Sequence, residues 1–179
     1  MKTLIRVCIA VILVSIGLIA GCGGEPFQPA PKADAVAVLV PTAGSTTAGS
    51  VIFARTEQGL RVIAKISNLS PGPHGFHIHE FGDCRATDAS SAGDHFNPGN
   101  ALHGAPDAEF RHVGDLGNVV ADESGTAKMD AVIAGLQLEG PDMIIGRSVI
   151  VHADADDMQT QPTGGAGVRL ACGVIGIAR

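Results

Sequence analysis

Between Gly82 and about Gly117 the chain runs for roughly 35 residues with neither a helical nor a strand period. So long a stretch cannot bury a core of its own, and in a compact domain it needs some other device to order it. It carries His95, His103 and His112 among many Asp and Gly residues, and a bound metal ion is one such device. On either side the sequence breaks into short apolar or β-branched runs. Ala35–Val40 is closed by Pro41, and Val51–Thr56 and Leu60–Ile66 flank Glu57-Gln58-Gly59 as a hairpin. Leu60, Val62, Ala64 and Ile66 share one face while Arg61 and Lys65 share the other, with Ile63 interrupting the alternation. Pro71-Gly72-Pro73 punctuates before an extended Gly75–Phe81. Asn118–Asp122 and Thr126–Asp130 read as a second hairpin around Glu123-Ser124-Gly125, and Ser148–His152 and Leu170–Ala178 as central strands. Seven or eight such runs predict an all-β, antiparallel sandwich or barrel.

Composition narrows the function classes. The 24 Gly and 10 Pro disfavour a helical bundle, and 179 residues suffice for one packed domain. A net charge of −6 excludes a general nucleic-acid binder, which needs a basic face, and 17% charged residues exclude a disordered polyelectrolyte. Lys2 and Arg6 precede an apolar run, Val7–Ala20, that is short for a membrane span and fits a secretory signal. It ends in Ile19-Ala20-Gly21-Cys22, which resembles a bacterial lipobox, with Cys22 as the lipidated residue after cleavage. Ordinary cleavage near Gly24 or an uncleaved anchor are the alternatives. The expected organisation is a signal at 1–21, a lipidated Cys and Gly/Pro-rich tether at 22–33, and the folded domain at 34–179. Loss of the signal removes both basic residues and leaves a net charge of −8.

All seven histidines fall between positions 74 and 152. In His77-Ile78-His79 a spacing of two on a strand puts both imidazoles on one face, opposite Phe76 and Ile78. The pair suits one ion, or a polar surface. His152 ends an apolar strand, as a satisfied core histidine or as a ligand. His95, His103 and His112 with Asp115 three residues on form a nitrogen-and-carboxylate set suited to zinc. Singly each reads as solvated surface; together they read as a metal centre.

The stretches His74–Cys84, Ser91–Pro98, His103-Gly104, Arg111–Asn118 and Gly167–Gly176 resemble the copper,zinc superoxide dismutases, and the resemblance covers about Ala35 to Arg179. It implies a Greek-key β-sandwich or barrel, with copper held by His77, His79, His95 and His152 and zinc by His95, His103, His112 and Asp115. His95 would serve both ions as an imidazolate, which offers a lone pair at each nitrogen. The resemblance further implies that Asp156 links the free nitrogens of His77 and His103, that His74 is structural, and that Cys84 pairs with Cys172. The implied reaction dismutes superoxide to dioxygen and hydrogen peroxide by alternate reduction and reoxidation of copper. His95 would supply a proton and Arg169 guide the anion.

Two features depart from the eukaryotic cytosolic pattern. Only 16 residues, without Lys or Glu, separate His152 from Arg169, a shortened form of the charged steering loop. Cys84 directly follows Gly82-Asp83, which resembles the bacterial branch. The expectation is therefore a bacterial periplasmic or cell-envelope enzyme, lipid-anchored, more in keeping with the outer than the inner membrane. Its small-molecule partner would be superoxide. A homodimer is compatible with the resemblance, but its geometry does not carry over. The alternative is a non-catalytic periplasmic copper/zinc-binding lipoprotein, which would need neither Arg169 nor a shared histidine.

Overall fold

The computed structural model describes residues 32–179; the signal, Cys22 and all of the tether but Lys32 and Ala33 lie outside the described residues. Eight antiparallel strands close into a barrel: β1 (Ala35–Pro41), β2 (Ala48–Thr56), β3 (Gly59–Ser67), β4 (Gly72–His79), β5 (Asp115–Ala121), β6 (Ala127–Ile133), β7 (Ser148–His152) and β8 (Arg169–Ile177). The order around the barrel is β1-β2-β3-β6-β5-β4-β7-β8, so β4, β5 and β6 follow one another while β3 returns beside β6, a Greek key. The expected all-β fold is what forms.

Alternation explains the core. Leu60, Val62, Ala64 and Ile66 of β3 point inward with Val51, Phe53 and Leu39 of the neighbouring strands. Ile63 stands opposite Asp130 on the outer side, so it costs the strand no burial on the core face. By contrast β7 is buried throughout, and β4 is buried from His74 to His79. Phe76 and Ile78 enter the core, and His77 and His79 on the opposite face are covered by loops. Those covering loops are what the site is made of.

The boundaries differ from the expected ones in two instructive ways. β4 begins at Gly72 because Gly72 and Pro73 already pair with Ala121 and Val120. It ends at His79 because the Glu80 and Phe81 amides donate to Asp94 and Ala92 carbonyls in the long loop. The expected second hairpin has its tight turn, with Gly125 at φ +74° and its amide on the Asp122 carbonyl. Its strands nevertheless share only the pair Ala121↔Ala127, because β5 turns to β4 and β6 to β3. The element is the expected hairpin, but one whose strands splay apart soon after the turn.

The long loop is irregular, with one short turn of 3-10 helix at Ser90–Ala92. It is fixed at intervals. Cys84 is disulfide-bonded to Cys172 on β8, and the pairing the resemblance implied is present. Ile78, Phe96 and Gly114 exchange main-chain hydrogen bonds, which lay the His95 segment against the end of β4. Arg111 donates to the carbonyls of Pro106, His112 and Ala134, tying the loop's far end to the chain after β6.

Candidate metal centre

Every candidate ligand is buried: His77, His79, His95, His103, His112, His152 and Asp115 are each at most 4% exposed. Six imidazoles and a carboxylate packed together without ionic compensation are costly, so their partners must be accounted for. The accounting separates outer nitrogens from inner ones. His77 Nε2 lies 2.9 Å from Asp156 Oδ2, His79 Nδ1 2.9 Å from the Gly93 carbonyl, and His152 Nδ1 3.2 Å from the Gly167 carbonyl. His103 Nε2 lies 2.8 Å from Asp156 Oδ1. Each of these outer bonds places the hydrogen on the outer nitrogen and leaves a lone pair on the inner one.

The inner nitrogens converge. His77, His79, His95 and His152 each present one ring nitrogen, all within 4.8 Å of one another. His95, His103, His112 and Asp115 do the same on the other side of His95. Among buried side-chain atoms, His77 Nδ1, His95 Nε2, His103 Nδ1 and His112 Nδ1 have no hydrogen-bond partner. These orphaned nitrogens divide between the two sets, as lone pairs aimed at two neighbouring points would. Asp115 Oδ1 lies 3.0 Å from His95 Nδ1, 3.0 Å from His103 Nδ1 and 3.2 Å from His112 Nδ1. A tetrahedron with zinc–ligand bonds of about 2.0 Å has edges of about 3.3 Å, so this donor set fits zinc. The all-imidazole set suits copper equally by chemistry. His95 alone turns one nitrogen to each set.

Electrostatics keep the ligands in their binding forms. Burial pushes the His77 imidazole down to about 4 and His152 down to about 3; it also lowers His95 and holds His79 well below the ordinary histidine range. Neutral imidazoles result at pH near 7, with lone pairs free for a metal. For Asp115 burial opposes ionisation, but contacts from His112 and His95 outweigh it and hold the carboxyl far below the usual carboxylate range. The same contest at Asp156, against bonds from His77 and His103, leaves its carboxyl down at about 2.

Around this core the structure brings together every residue singled out in the described sequence. Asp156 bridges His77 and His103. His74 sets Nδ1 2.9 Å from the His152 carbonyl and Nε2 2.8 Å from the Ser70 carbonyl, outside the cluster. Arg169 donates 2.6 Å hydrogen bonds to the carbonyls of Ala89 and Gly93. The Gly93 carbonyl is thus shared between Arg169 and His79. Arg169 lines a cavity of about 160 Å³ with His79, His95, His152 and Thr163.

Three supporting residues escape sequence reasoning. Asn118 exchanges both side-chain polar atoms with the main chain of Asp156 and so fixes its position. Arg147 lays its guanidinium 3.4 Å from the centre of the Phe96 ring and donates to the Glu80 carbonyl, pressing the segment after His95 onto the end of β4. Arg111 has been described above. The only local signals are that Asn118 follows a glycine and that Arg111 adjoins a histidine; none reveals partners 38 or 23 residues away.

Residues 47–175 match the family described as copper/zinc superoxide dismutase. The chain is 44% identical over 155 residues to a protein of Brugia pahangi named extracellular superoxide dismutase [Cu-Zn], covering 82% of this chain and 77% of that one. It is also 44% identical over 155 residues to a superoxide dismutase [Cu-Zn] of Onchocerca volvulus, covering 80% of this chain and 96% of that one. Both relatives are from nematodes.

Proposed function

This chain belongs to the copper/zinc superoxide dismutase family, and we propose that it dismutes superoxide at a centre with His77, His79, His95 and His152 as copper ligands and His95, His103, His112 and Asp115 as zinc ligands. The observation that carries this reading is His95, whose two ring nitrogens belong to two different buried donor sets. When bound, copper would supply a one-electron couple, and zinc, which has none, would be held by the second donor set and lend it charge and rigidity.

The overall balance is two superoxide anions and two protons giving one dioxygen and one hydrogen peroxide. The chain's part is admission, orientation and proton delivery. Arg169 is a fixed cation at the cavity that His79, His95 and His152 line, on a molecule of negative net charge. Its two loop-bound donors hold the guanidinium in place, so an incoming anion meets it without reorganisation. His95 Nε2 has no protein partner and the ring lines the cavity that Arg169 shares, so it is the nitrogen from which the chain can hand a proton to the reduced substrate. Asp156 and Asn118 keep the rings of His77 and His103 from turning.

The setting is exported. The disulfide and the extracellular relative support export. Our finer reading, a lipid-anchored enzyme of a bacterial envelope, rests on Lys2, Arg6, Val7–Ala20 and the Ile19–Cys22 lipobox, together with the shortened loop before Arg169.

The test is superoxide decay with the purified chain loaded with copper and zinc. The loaded protein accelerates decay, and Arg169→Ala slows it by about tenfold or more while copper is retained. An Arg169→Ala rate unchanged across ionic strengths would overturn the guiding role. A loaded protein that leaves superoxide decay unchanged would favour the non-catalytic metal-binding reading instead.

A further inference from the structure

The loop between His152 and Arg169 is short and carries no Lys or Glu, yet it is not idle. Gln161 turns its side-chain amide onto the main chain of His103. Its Oε1 accepts from the His103 N–H at 2.8 Å and its Nε2 donates to the His103 carbonyl at 3.0 Å. The side chain thereby presents an acceptor and a donor in parallel, as a neighbouring strand would, to a residue that lies in no strand. The same Nε2 also donates to the Gln159 carbonyl at 3.1 Å, which fixes the amide's orientation.

The grip has a second point. Asp156, five residues earlier on the same loop, holds the His103 ring at Nε2. Gly164, three residues later, lies so close that any side chain there would run into the Asp156 carboxylate and the His103 ring. Its φ of +68° is one that glycine adopts without strain. The loop thus holds His103 at its ring through Asp156, at its backbone through Gln161, and from above through Gly164. His77 and Asp115, by comparison, sit on strands paired to their neighbours, and need no such help.

We propose that Gln161 is a positioning residue for the zinc set, fixing the His103 main chain so that Nδ1 keeps its aim toward Asp115 Oδ1. The shortened loop is thus a clamp on a zinc ligand whose backbone lies in no strand. The inference rests on the assignment of His103 as a zinc ligand.

The experiment compares the full protein, loaded with copper and zinc, with its Gln161→Met and Gln161→Glu variants. Metal release into excess chelator is followed for zinc and copper separately, well below the unfolding temperature. Cobalt placed in the zinc set gives a visible d–d spectrum that reports tetrahedral geometry. Gln161→Met keeps the length of the side chain and loses both hydrogen bonds; zinc release is expected to quicken about tenfold, with copper release changed less than about twofold. Gln161→Glu keeps an acceptor for the His103 N–H but sets its second oxygen against the His103 and Gln159 carbonyls, so zinc release is expected to quicken there too, which also covers a failure of Gln161→Met to fold. Zinc release at the wild-type rate in both variants overturns the proposal, as does copper release that quickens equally, the mark of a merely structural prop. If the wild-type protein gives no tetrahedral cobalt spectrum, or keeps zinc unchanged in His103→Ala, the zinc assignment itself is what fails.

Discussion

Asp156→Ala separates the two halves of the centre. The Asp156 carboxylate is fully buried and accepts from His77 Nε2 at 2.9 Å and His103 Nε2 at 2.8 Å. Truncation removes two charge-assisted hydrogen bonds, each worth about 1.5–3 kcal/mol, or about 10–150-fold in a binding constant if all of it reaches the metal. The two histidines do not share that loss equally. His77 lies on β4, paired with Ile150 of β7 and with Asp115 of β5, so its backbone holds it without the carboxylate. His103 lies in the loop and depends on Asp156 for the orientation of its ring. Zinc affinity should therefore fall about 10–150-fold and copper affinity by a few-fold at most. Competition titrations against chelators of graded strength, read separately for each metal, measure both. Zinc affinity within about twofold of wild type refutes the role given to Asp156. Equal losses for both metals refute the distinction between strand-borne and loop-borne ligands.

Two further outcomes follow from the disulfide and from the buried imidazoles. Cys84 and Cys172 are 88 positions apart, for which the chain-entropy estimate is about 4–5 kcal/mol. Cys172→Ser should lower unfolding stability by that order in denaturant titrations, and a loss below about 1 kcal/mol would show that the cross-link constrains the unfolded chain far less. Unfolded, His77 and His152 take up a proton near 6.5; folded, burial holds them at about 4 and about 3. Between those limits the unfolded chain binds more protons, so the metal-free protein loses stability as pH falls from about 6.5 toward about 3. A denaturation midpoint that is flat across this window contradicts the burial account.

Much of the fold and of the candidate ligand set is legible in the sequence, and the reasons differ by element. The alternation in Leu60–Ile66 reports one wet and one dry face, which β3 has. The spacing of His77 and His79 reports a shared face directly, because two residues advance a strand by one full period. The unpatterned stretch from Gly82 to Gly117 announces that something other than a core orders it, and its histidines mark where the buried donor sets gather. The hairpin of β5 and β6 is legible but the shortness of its pairing is not, since Glu123-Ser124-Gly125 makes the same turn whether the strands stay paired along their length or splay toward β4 and β3. The supporting contacts of Asn118, Arg147 and Gln161 are illegible for another reason. They join side chains to distant main-chain groups, and a carbonyl has no residue type to read.

That parting of β5 from β6 has a consequence for how the metal-side loop is held. A closed barrel leaves no strand edge free, yet here one seam has a single pair within its strands, Ala121 and Ala127, with the Asp122 amide on the Thr126 carbonyl beside it. Asp115 stands at the start of one of the strands that diverge there, and Arg111 reaches from the zinc-side loop to Ala134, just past the end of the other. The metal-side loop is therefore anchored to both strands of this seam at the end where they diverge, the end farthest from the turn that joins them.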